Sequence, residues 1–405
     1  MRHKLALLLL FAGLSTKAQH TLEITIENPL KTERSDMPVV VDLTKYGHVS
    51  RSVVRLDGQE IPSQLDDLNL DEEMDELCFL VNLAPKQKQT FHVELYEEGE
   101  QAPYPARVYT EMLMRNDKVK EKNKHNNFVA SLSVRGDCAN SYNLLHHHGV
   151  CFESELNGIR IYFDKRQTLD LYGKYSKQLE LQATQFYTSK EQKEQGYGDD
   201  VLWVGNTFGL GAFRGWDGNI PTMIEPVKTR TQRIVSYGPL RTIVEVIDQG
   251  WRPSEDLPAI NMTLRYTQYA GHRDTDVDVY FNRSVDNYKF STGIINVKGS
   301  VEFSDHKGLR ACWGTDYPST DTINWKPETV GLAILIPSKS IVSEEKATKD
   351  NYAFVVETAE KHLSYKIAYT SANEKFGFST SNAWFEWLQQ WRREVEHPIK
   401  VMVNR

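Results

Sequence analysis

The chain has 405 residues, of which 40% are hydrophobic and 11% aromatic, so it is long enough to bury more than one hydrophobic core. Its 48 Lys and Arg residues against 55 Asp and Glu residues give a formal net charge of -7. This charge argues against nucleic acid as the partner, which requires a basic face, but it allows an anionic sugar if Arg and Lys side chains gather in one cleft.

The beginning of the chain has the parts of a secretory signal peptide. Arg2 and Lys4 make the start positive, and an apolar run of only ten residues follows over 5–14. This run is too short for a bilayer, which needs about 20 apolar residues. Ala18 stands where a signal peptidase cuts. The sequence therefore predicts a signal peptide over residues 1–18, export to the periplasm and no membrane span.

Alternation of apolar and polar residues dominates the rest of the chain and indicates β-strands, as at Leu22, Ile24 and Ile26. Many short strands bounded by turn residues are typical of antiparallel sandwiches. We therefore predict an all-β protein, with a small β-sandwich over 19–100 and a large antiparallel β-supersandwich of the galactose-mutarotase-like kind over 106–405. The predicted strands include 37–43, 77–83, 90–96, 107–114, 128–134, 159–163, 241–247, 261–269, 330–336, 352–357 and 362–370.

An acidic loop in the first block has the spacing of a calcium loop. Asp67, Asn69, Asp71 and Asp75 occupy its first, third, fifth and ninth positions, where alternate side chains converge on one cation. The glycine expected at the sixth position is Glu72. Two interpretations stay open: a solvated acidic turn, or a structural Ca²⁺ that stabilises the fold and takes no part in catalysis.

Three adjacent histidines stand inside a strand-like stretch at 146–148. In a regular strand His147 faces away from His146 and His148, whereas a loop would present both His147 and His148 to one cleft. Imidazole exchanges protons near neutral pH or binds a metal. Because Glu and Arg residues follow closely, we predict a functional cluster; the alternative is that these histidines support a loop within the sheet.

The four cysteines belong to a chain predicted to be exported, in which disulfides are permitted. Cys138 and Cys151 flank the histidine stretch and are the most plausible pair, whereas Cys78 lies in an apolar run and is expected to be a buried thiol. A chain of this length has no need of such a bond, so a protein with no disulfide is the favoured interpretation and the Cys138–Cys151 bond is the alternative.

Two further stretches combine cations, aromatic faces and acceptors. Arg214, Trp216 and Asp217 lie between glycines and have the groups of a sugar subsite, although structural turns explain them equally well. His272 and Arg273 follow a predicted strand, at the kind of position where a β scaffold places its site.

One stretch near the end of the chain has a helical period. Trp384, Trp387, Leu388 and Trp391 fall on one face, with Ser381 as the candidate N-terminal cap. We expect these tryptophans to form a core stripe and not a sugar-binding platform.

Three longer stretches resemble a secreted family described as a domain of unknown function: Glu60–Asp67, Leu145–Val150 and Gly205–Asp217. The resemblance covers nearly all of the mature chain. Genes of that family lie in polysaccharide-utilisation loci, and the family includes an oligosaccharide dehydratase that acts on ulvan fragments. The resemblance implies a carbon–oxygen lyase that removes water from a terminal uronic acid, and an anionic oligosaccharide as the partner.

Removing the 4-hydroxyl and the C5 hydrogen of a uronic acid requires a cation at the carboxylate, a base at C5 and an acid at O4. No cofactor is expected to be required. A polysaccharide lyase uses the same chemistry with a glycosidic oxygen leaving, and a non-catalytic sugar-binding protein is the alternative from another class. The predicted acid and base residues are His147, His148 and His272, and the predicted substrate-binding residues are Arg166, Arg214, Trp216, Asp217 and Arg273.

Overall fold

The computed structural model describes residues 18–136 and 141–404. The predicted signal peptide therefore lies, apart from Ala18, outside the described residues. Within them, no helix is long and apolar enough to cross a membrane.

The first sandwich packs a five-stranded sheet against a three-stranded sheet. Leu22, Ile24 and Ile26 point into its core, as their alternation predicts. There they meet the rings of Phe79 and Phe91, whose centroids are 5.4 Å apart. Its strands are β1 (His20–Glu27), β2 (Arg34–Asp42), β3 (Arg51–Leu56), β4 (Gln59–Ile61), β5 (Ser63–Asp66), β6 (Glu76–Leu83), β7 (Lys88–Tyr96) and β29 (Lys400–Asn404), in the orders β29-β1-β7-β3-β4 and β2-β6-β5.

The C-terminal strand β29 belongs to this small sandwich. It pairs antiparallel with β1, with Glu23 opposite Asn404 and Glu27 opposite Lys400. The predicted boundaries place these residues in the large sandwich, whereas the chain in fact crosses back to its beginning.

The large sandwich is built on a nine-stranded antiparallel sheet, one face of which packs against two five-stranded sheets around the main core. The nine strands run in the order β11-β18-β19-β20-β21-β28-β25-β24-β23, and the smaller sheets in the orders β15-β14-β13-β12-β8 and β17-β16-β22-β27-β26. Their bounds, with the short pair β9 and β10, are β8 (Val108–Glu111), β9 (Leu113–Met114), β10 (Asn127–Phe128), β11 (Ser131–Arg135), β12 (Gly149–Ser154), β13 (Gly158–Tyr162), β14 (Leu169–Gly173), β15 (Asp199–Asp200), β16 (Arg214–Trp216), β17 (Pro221–Thr222), β18 (Thr229–Tyr237), β19 (Arg241–Trp251), β20 (Ile260–Tyr269), β21 (Asp274–Phe281), β22 (Phe290–Ile295), β23 (Val301–Ser304), β24 (Leu309–Asp316), β25 (Glu328–Leu335), β26 (Ile341–Glu344), β27 (Asn351–Val356) and β28 (His362–Ser371).

Two short helices, α1 (Leu181–Thr184) and α2 (Lys190–Glu194), lie between β14 and β15, and one long helix, α3 (Ser381–Glu396), follows β28. Helix α3 covers the outer face of the nine-stranded sheet with Trp384, Leu388 and Trp391, which confirms the core stripe for these three residues. Trp387 is only partly buried and lines a cavity beside the helix. Its cap is Thr380, one residue before the predicted Ser381, because the Thr380 hydroxyl accepts from the amide of Ala383 at 3.3 Å. The all-β class with a small and a large sandwich is confirmed.

Buried polar contacts join the two sandwiches. The Arg241 guanidinium donates to Asp66 at 2.7 Å and to Glu76 at 2.6 Å, across the gap between β19 and the three-stranded sheet. Nearby, the side-chain oxygen of Gln64 accepts from the amides of Leu240 and Arg241. Because these groups are withdrawn from water, their hydrogen bonds specify one relative placement of the sandwiches.

Candidate active site

The candidate site lies on the outer face of the sheet β15-β14-β13-β12-β8. Alternation along β13 sends Ile159 and Ile161 into the main core and Arg160 to the opposite face. The Tyr162 ring also contacts that core, and its hydroxyl reaches the Asp170 carboxylate beside Arg160. Strand register then brings one polar side chain from each of four neighbouring strands into a row: Glu111, Cys151, Arg160 and Asp170.

Arg160 is the centre of a buried ionic network. Its guanidinium donates to Asp170 at 2.7 Å and to Asp200 at 3.0 Å, while the Tyr162 hydroxyl donates to Asp170 at 2.6 Å. Burial, together with the neighbouring charge of Asp170, raises the pKa of Asp200 well above its ordinary value. The network fixes the Arg160 guanidinium and the Tyr162 ring as a rigid wall.

His148 projects from this wall at the turn before β12. Its Nδ1 lies 2.9 Å from the carbonyl oxygen of Tyr142, and the two rings stack with centroids 3.7 Å apart. A carbonyl only accepts, so Nδ1 carries the proton and Nε2 has the lone pair. Within the described residues Nε2 has no hydrogen-bond partner. Burial and the nearby positive charge of Arg160 lower the pKa of His148 to about 4, so the ring is neutral at neutral pH.

Two adjoining cavities meet at His148, which we together name the His148 cleft. The basic cavity has a volume of about 460 Å³ and the aromatic cavity about 640 Å³, and both are lined by Lys122, His148 and Tyr187. The basic cavity adds Arg115, Lys120, His125 and His146, and the aromatic cavity adds Tyr142, Tyr162, Trp203 and Trp325.

His146 forms part of the floor of the basic cavity. Its ring stacks on His125 with centroids 3.8 Å apart and meets the Tyr187 ring edge-on at 5.3 Å. Its Nε2 is buried and makes no hydrogen bond to the described residues. Burial and the neighbouring His147 lower the pKa of His146 to about 3, so this ring is also neutral.

His147 turns away from the cleft and is fully buried. Its Nδ1 lies 2.7 Å from the carbonyl oxygen of Gly149, and its Nε2 faces Glu111 and Cys151. Cys151 is a free thiol, in agreement with the interpretation without a disulfide, and Cys138, its most plausible partner, lies outside the described residues. Cys78 is a buried free thiol, as expected.

The structure does not bring His272 to His148. His272 lines a cavity of about 610 Å³ beside α3 that shares no lining residue with the His148 cleft. Its Nδ1 lies 3.0 Å from the Asp274 carboxylate and its Nε2 lies 2.8 Å from the Asp36 carbonyl oxygen. Arg273 is buried in an ion pair with Glu374 at 2.7 Å. Both residues thus have partners within the protein.

The other predicted arginines are also held by the protein. Arg166 donates from Nε to Asp164 at 2.8 Å, and its guanidinium lies over the rings of Tyr142 and Tyr162, so it braces the wall of the cleft. Arg214 is buried and donates to the carbonyl oxygen of Asn206 at 2.9 Å. Burial lowers the pKa of Arg214 to about 10. Neither guanidinium lines the cleft.

Trp216 and Asp217 line a separate cavity of about 670 Å³. The Asp217 carboxylate accepts from the amides of Asn219 and Ile220, both at 2.8 Å, which closes a turn. These two hydrogen bonds give Asp217 a role within the turn, as the structural-turn interpretation of the sequence expects.

The acidic loop uses its carboxylates on its own backbone. Asp67 accepts from the amides of Leu70 and Glu72 at 2.6 and 2.8 Å, and Asp75 accepts from Leu68 at 2.7 Å. Among the described residues, Asp67, Asp71 and Asp75 do not converge as a group that could hold a metal. Asn69 and Asp71 are exposed, and Asp67 and Asp75 are half-buried. This arrangement favours the solvated turn.

Several residues of the cleft were not predicted from the sequence. Arg160 and Tyr162 had a detectable signal, because their alternation in β13 puts them on one face with His148 at its edge. Tyr187 and Trp325 come from irregular segments far along the chain. No local pattern assigns such residues to a site.

Comparisons with known proteins identify a family and a fold. The family model described as a domain of unknown function (DUF4861) matches residues 26–401. A protein in the glycosyl hydrolase family 38 from Enterococcus faecalis has a TM-score of 0.50 at 10% identity, over 95% of this chain and 47% of that chain. An alpha-mannosidase from Enterococcus faecalis V583 has a TM-score of 0.48 at 10% identity, over 95% and 46%.

A putative aldose 1-epimerase from Klebsiella pneumoniae subsp. pneumoniae MGH 78578 has a TM-score of 0.28 at 8% identity, over 65% of this chain and 91% of that chain. The chain spans about half the length of the two Enterococcus proteins. At these identities, the first likeness shows a shared fold alone. No curated protein matches the chain.

Proposed function

This chain belongs to the DUF4861 family of domains of unknown function, and we propose that its His148 cleft is the active site of an oligosaccharide dehydratase. The substrate is an anionic oligosaccharide of the ulvan type that ends in a uronic acid, and the product is the 4,5-unsaturated uronate. One observation carries the proposal: the unpartnered Nε2 of a neutral histidine lies where a basic and an aromatic cavity meet. The signal-peptide pattern of residues 1–18 and the resemblance of the sequence to a secreted family support the proposal that the protein is exported to the periplasm.

The basic cavity is suited to the uronate carboxylate. Arg115, Lys120 and Lys122 line it, against the single carboxylate of Asp117. The Asp117 carboxylate lies 3.1 Å from Nε of Arg115 and neutralises that charge. The positive charges of Lys120 and Lys122 have no further carboxylate to balance them within this lining. Cations at the substrate carboxylate stabilise the negative charge that develops when the C5 proton leaves.

His148 is the proposed base. Its Nε2 takes the C5 proton, and the C–H electron pair forms the C4=C5 double bond as the C4–O4 bond breaks. The carbonyl oxygen of Tyr142, 2.9 Å from Nδ1, orients the ring and stabilises the imidazolium that results.

Tyr187 is the proposed acid. It lies on the wall common to both cavities, and burial raises the pKa of its hydroxyl, so the group arrives protonated. It donates its proton to O4, which leaves as water. The Arg160 guanidinium, 3.4 Å from this hydroxyl, stabilises the tyrosinate until the proton taken by His148 returns through solvent.

The aromatic cavity is suited to sugar rings. Trp203 is 53% exposed although it is a large apolar side chain. Trp325 lies in the same lining but is half-buried, with the Lys193 ammonium 4.7 Å from its ring centroid. Exposed indole faces next to a polar wall are suited to the apolar faces of pyranose rings.

The decisive experiment uses saturated ulvan oligosaccharides with a terminal uronic acid and follows them by mass spectrometry and ultraviolet absorbance. We expect the loss of one water without shortening, together with the absorbance of a conjugated carboxylate. Binding without chemical change would indicate a sugar-binding protein instead and would contradict the dehydratase.

A β-eliminating lyase is the second candidate, and one feature favours it. The two cavities continue on both sides of His148, so a chain could extend past C4 of the reacting uronate. A lyase would yield two shorter fragments with no loss of water in the same mass spectra.

A further inference from the structure

Glu111, His147 and Cys151 form a compact buried cluster behind the His148 cleft. Nε2 of His147 lies 3.3 Å from Oε1 of Glu111 and 3.5 Å from Sγ of Cys151, and the sulfur lies 4.0 Å from the same oxygen. Each of the three residues is at most 1% exposed, and none lines either cavity of the cleft. Direct pairing of Glu111 with Cys151 across β8 and β12 fixes two of these groups.

Hydrogen bonding alone does not account for this geometry. Nδ1 of His147 donates to the carbonyl oxygen of Gly149 at 2.7 Å, so in a neutral ring Nε2 has a lone pair, which the Cys151 thiol can meet at 3.5 Å. The Glu111 carboxylate, 3.3 Å from the same nitrogen, then faces it with no hydrogen between them. A protonated Nε2 would make a charge-assisted hydrogen bond, which closes to about 2.7–2.9 Å. The 3.3 Å separation is longer than that, although both side chains are fully buried.

Two of the three distances, 3.3 Å and 3.5 Å, match those between ligands of a tetrahedral zinc ion, and the 4.0 Å from the Cys151 sulfur to the Glu111 oxygen is longer. Bonds of about 2.0–2.1 Å to nitrogen, 2.0–2.2 Å to oxygen and 2.3 Å to sulfur put ligand atoms roughly 3.3–3.6 Å apart. Imidazole and thiolate donors are typical of zinc, whereas Ca²⁺ and Mg²⁺ prefer oxygen ligands alone. The outer contacts also fit, because ligating histidines usually donate their other nitrogen to a carbonyl, and the Tyr109 hydroxyl donates to the second oxygen of Glu111 at 2.7 Å.

We propose that Glu111, His147 and Cys151 bind one Zn²⁺ ion. The thiolate and the carboxylate together neutralise its two positive charges, which makes the buried arrangement electrostatically balanced. The ion joins β8 and β12 to the turn that carries His148, and thereby holds the His148 side chain in place at the cleft. This inference does not depend on the proposed dehydration, since metal content and product formation are measured separately.

The test is elemental analysis of the full chain, produced in zinc-supplemented medium and purified without chelator. We expect close to one zinc per chain, and a thiolate-to-cobalt charge-transfer band after exchange of the metal for Co²⁺. Cys151→Ala should lose both the zinc and the band. Cys312→Ala is the matched control, because Cys312 is another buried free thiol and lies in β24, outside the cluster.

Folded wild-type protein without zinc, and without a thiolate band when Co²⁺ is added, would overturn the proposal. Equal zinc content in wild type and Cys151→Ala would also overturn it, since the ion would then be bound elsewhere. If Cys151→Ala does not fold, the wild-type zinc content and cobalt spectrum still decide.

Discussion

At the scale of single residues, three adjacent histidines have three different environments. His147 is buried against Glu111 and Cys151, and His146 stacks on His125. His148 alone lines both cavities. The difference arises because His148 adopts a positive φ of 70°, which breaks strand geometry and turns its ring out of the sheet.

Replacing His148 with Asn is the sharpest test of the proposed base. Asn tolerates positive φ, and its amide can still donate to the Tyr142 carbonyl, but it has no counterpart of Nε2. We expect turnover of uronate-ended oligosaccharides to fall roughly 10²–10⁴-fold, as for loss of a general base, with little change in the melting temperature. Steady-state kinetics and calorimetry measure the two quantities.

His306→Asn is the matched control. His306 also has a positive φ, of 55°, but its side chain is 81% exposed, far along the chain in the loop after β23. It should retain wild-type turnover. If His148→Asn keeps more than about a tenth of wild-type turnover, His148 is not the base.

Sequence patterns could identify His148 and the strand that carries Arg160, but not the composition of the cleft. His272, Arg214 and Arg273 were chosen for the chemistry of their side chains, and each is held by groups of the protein itself. Residue type says nothing about which partners tertiary packing supplies, and that packing decides whether a cation faces solvent or a carboxylate.

At the scale of elements, alternation predicted many of the strands that have one apolar face, although it missed β14, where Leu169 and Leu171 lie in the main core. The segments 241–247 and 261–269 are contained in β19 and β20. Strand β18 was not predicted, because its buried face includes Arg230 and Gln232 in place of apolar residues. The buried Gln232 side chain has hydrogen-bond partners at both ends, because it accepts from the amide of Val150 and donates to the carbonyl oxygen of Ile161.

Strand β29 provides a test at this scale. It covers one edge of β1, so deletion of residues 400–405 exposes the unpaired backbone of that strand. We expect a lower melting temperature and concentration-dependent association, which calorimetry and light scattering measure. Lys400→Ala is the control, because it removes only an exposed ion pair with Glu27 and should change neither property. A deletion variant that stays monomeric and as stable as wild type would contradict this role.

At the scale of the whole molecule, the contact between the sandwiches includes ion pairs, one of them partly exposed and one buried. Arg107 pairs with Asp36 of the small sandwich at 2.7 Å and with Glu155 of the large one at 2.5 Å. Arg241 is more deeply buried, and so is its partner Asp66. Such contacts between residues far apart in sequence give no periodic signal, so the arrangement of the two sandwiches could not be predicted from local patterns.

Arg241→Met tests how strongly these charges join the sandwiches. The Arg241 and Asp66 side chains are 3% and 2% exposed, so removing the guanidinium leaves the Asp66 carboxylate buried with neutral donors alone. Breaking a buried pair in this way costs about 3–5 kcal/mol of the free energy of unfolding. Adding Asp66→Asn removes the stranded charge, so the double variant should recover part of that loss in urea denaturation. Arg233→Met is the control and should cost less than Arg241→Met, because Arg265 still pairs with the buried Glu245 at 2.7 Å and no carboxylate is left without a cation. Equal losses for Arg241→Met and Arg233→Met would show that the buried charge at Asp66 does not couple the two sandwiches.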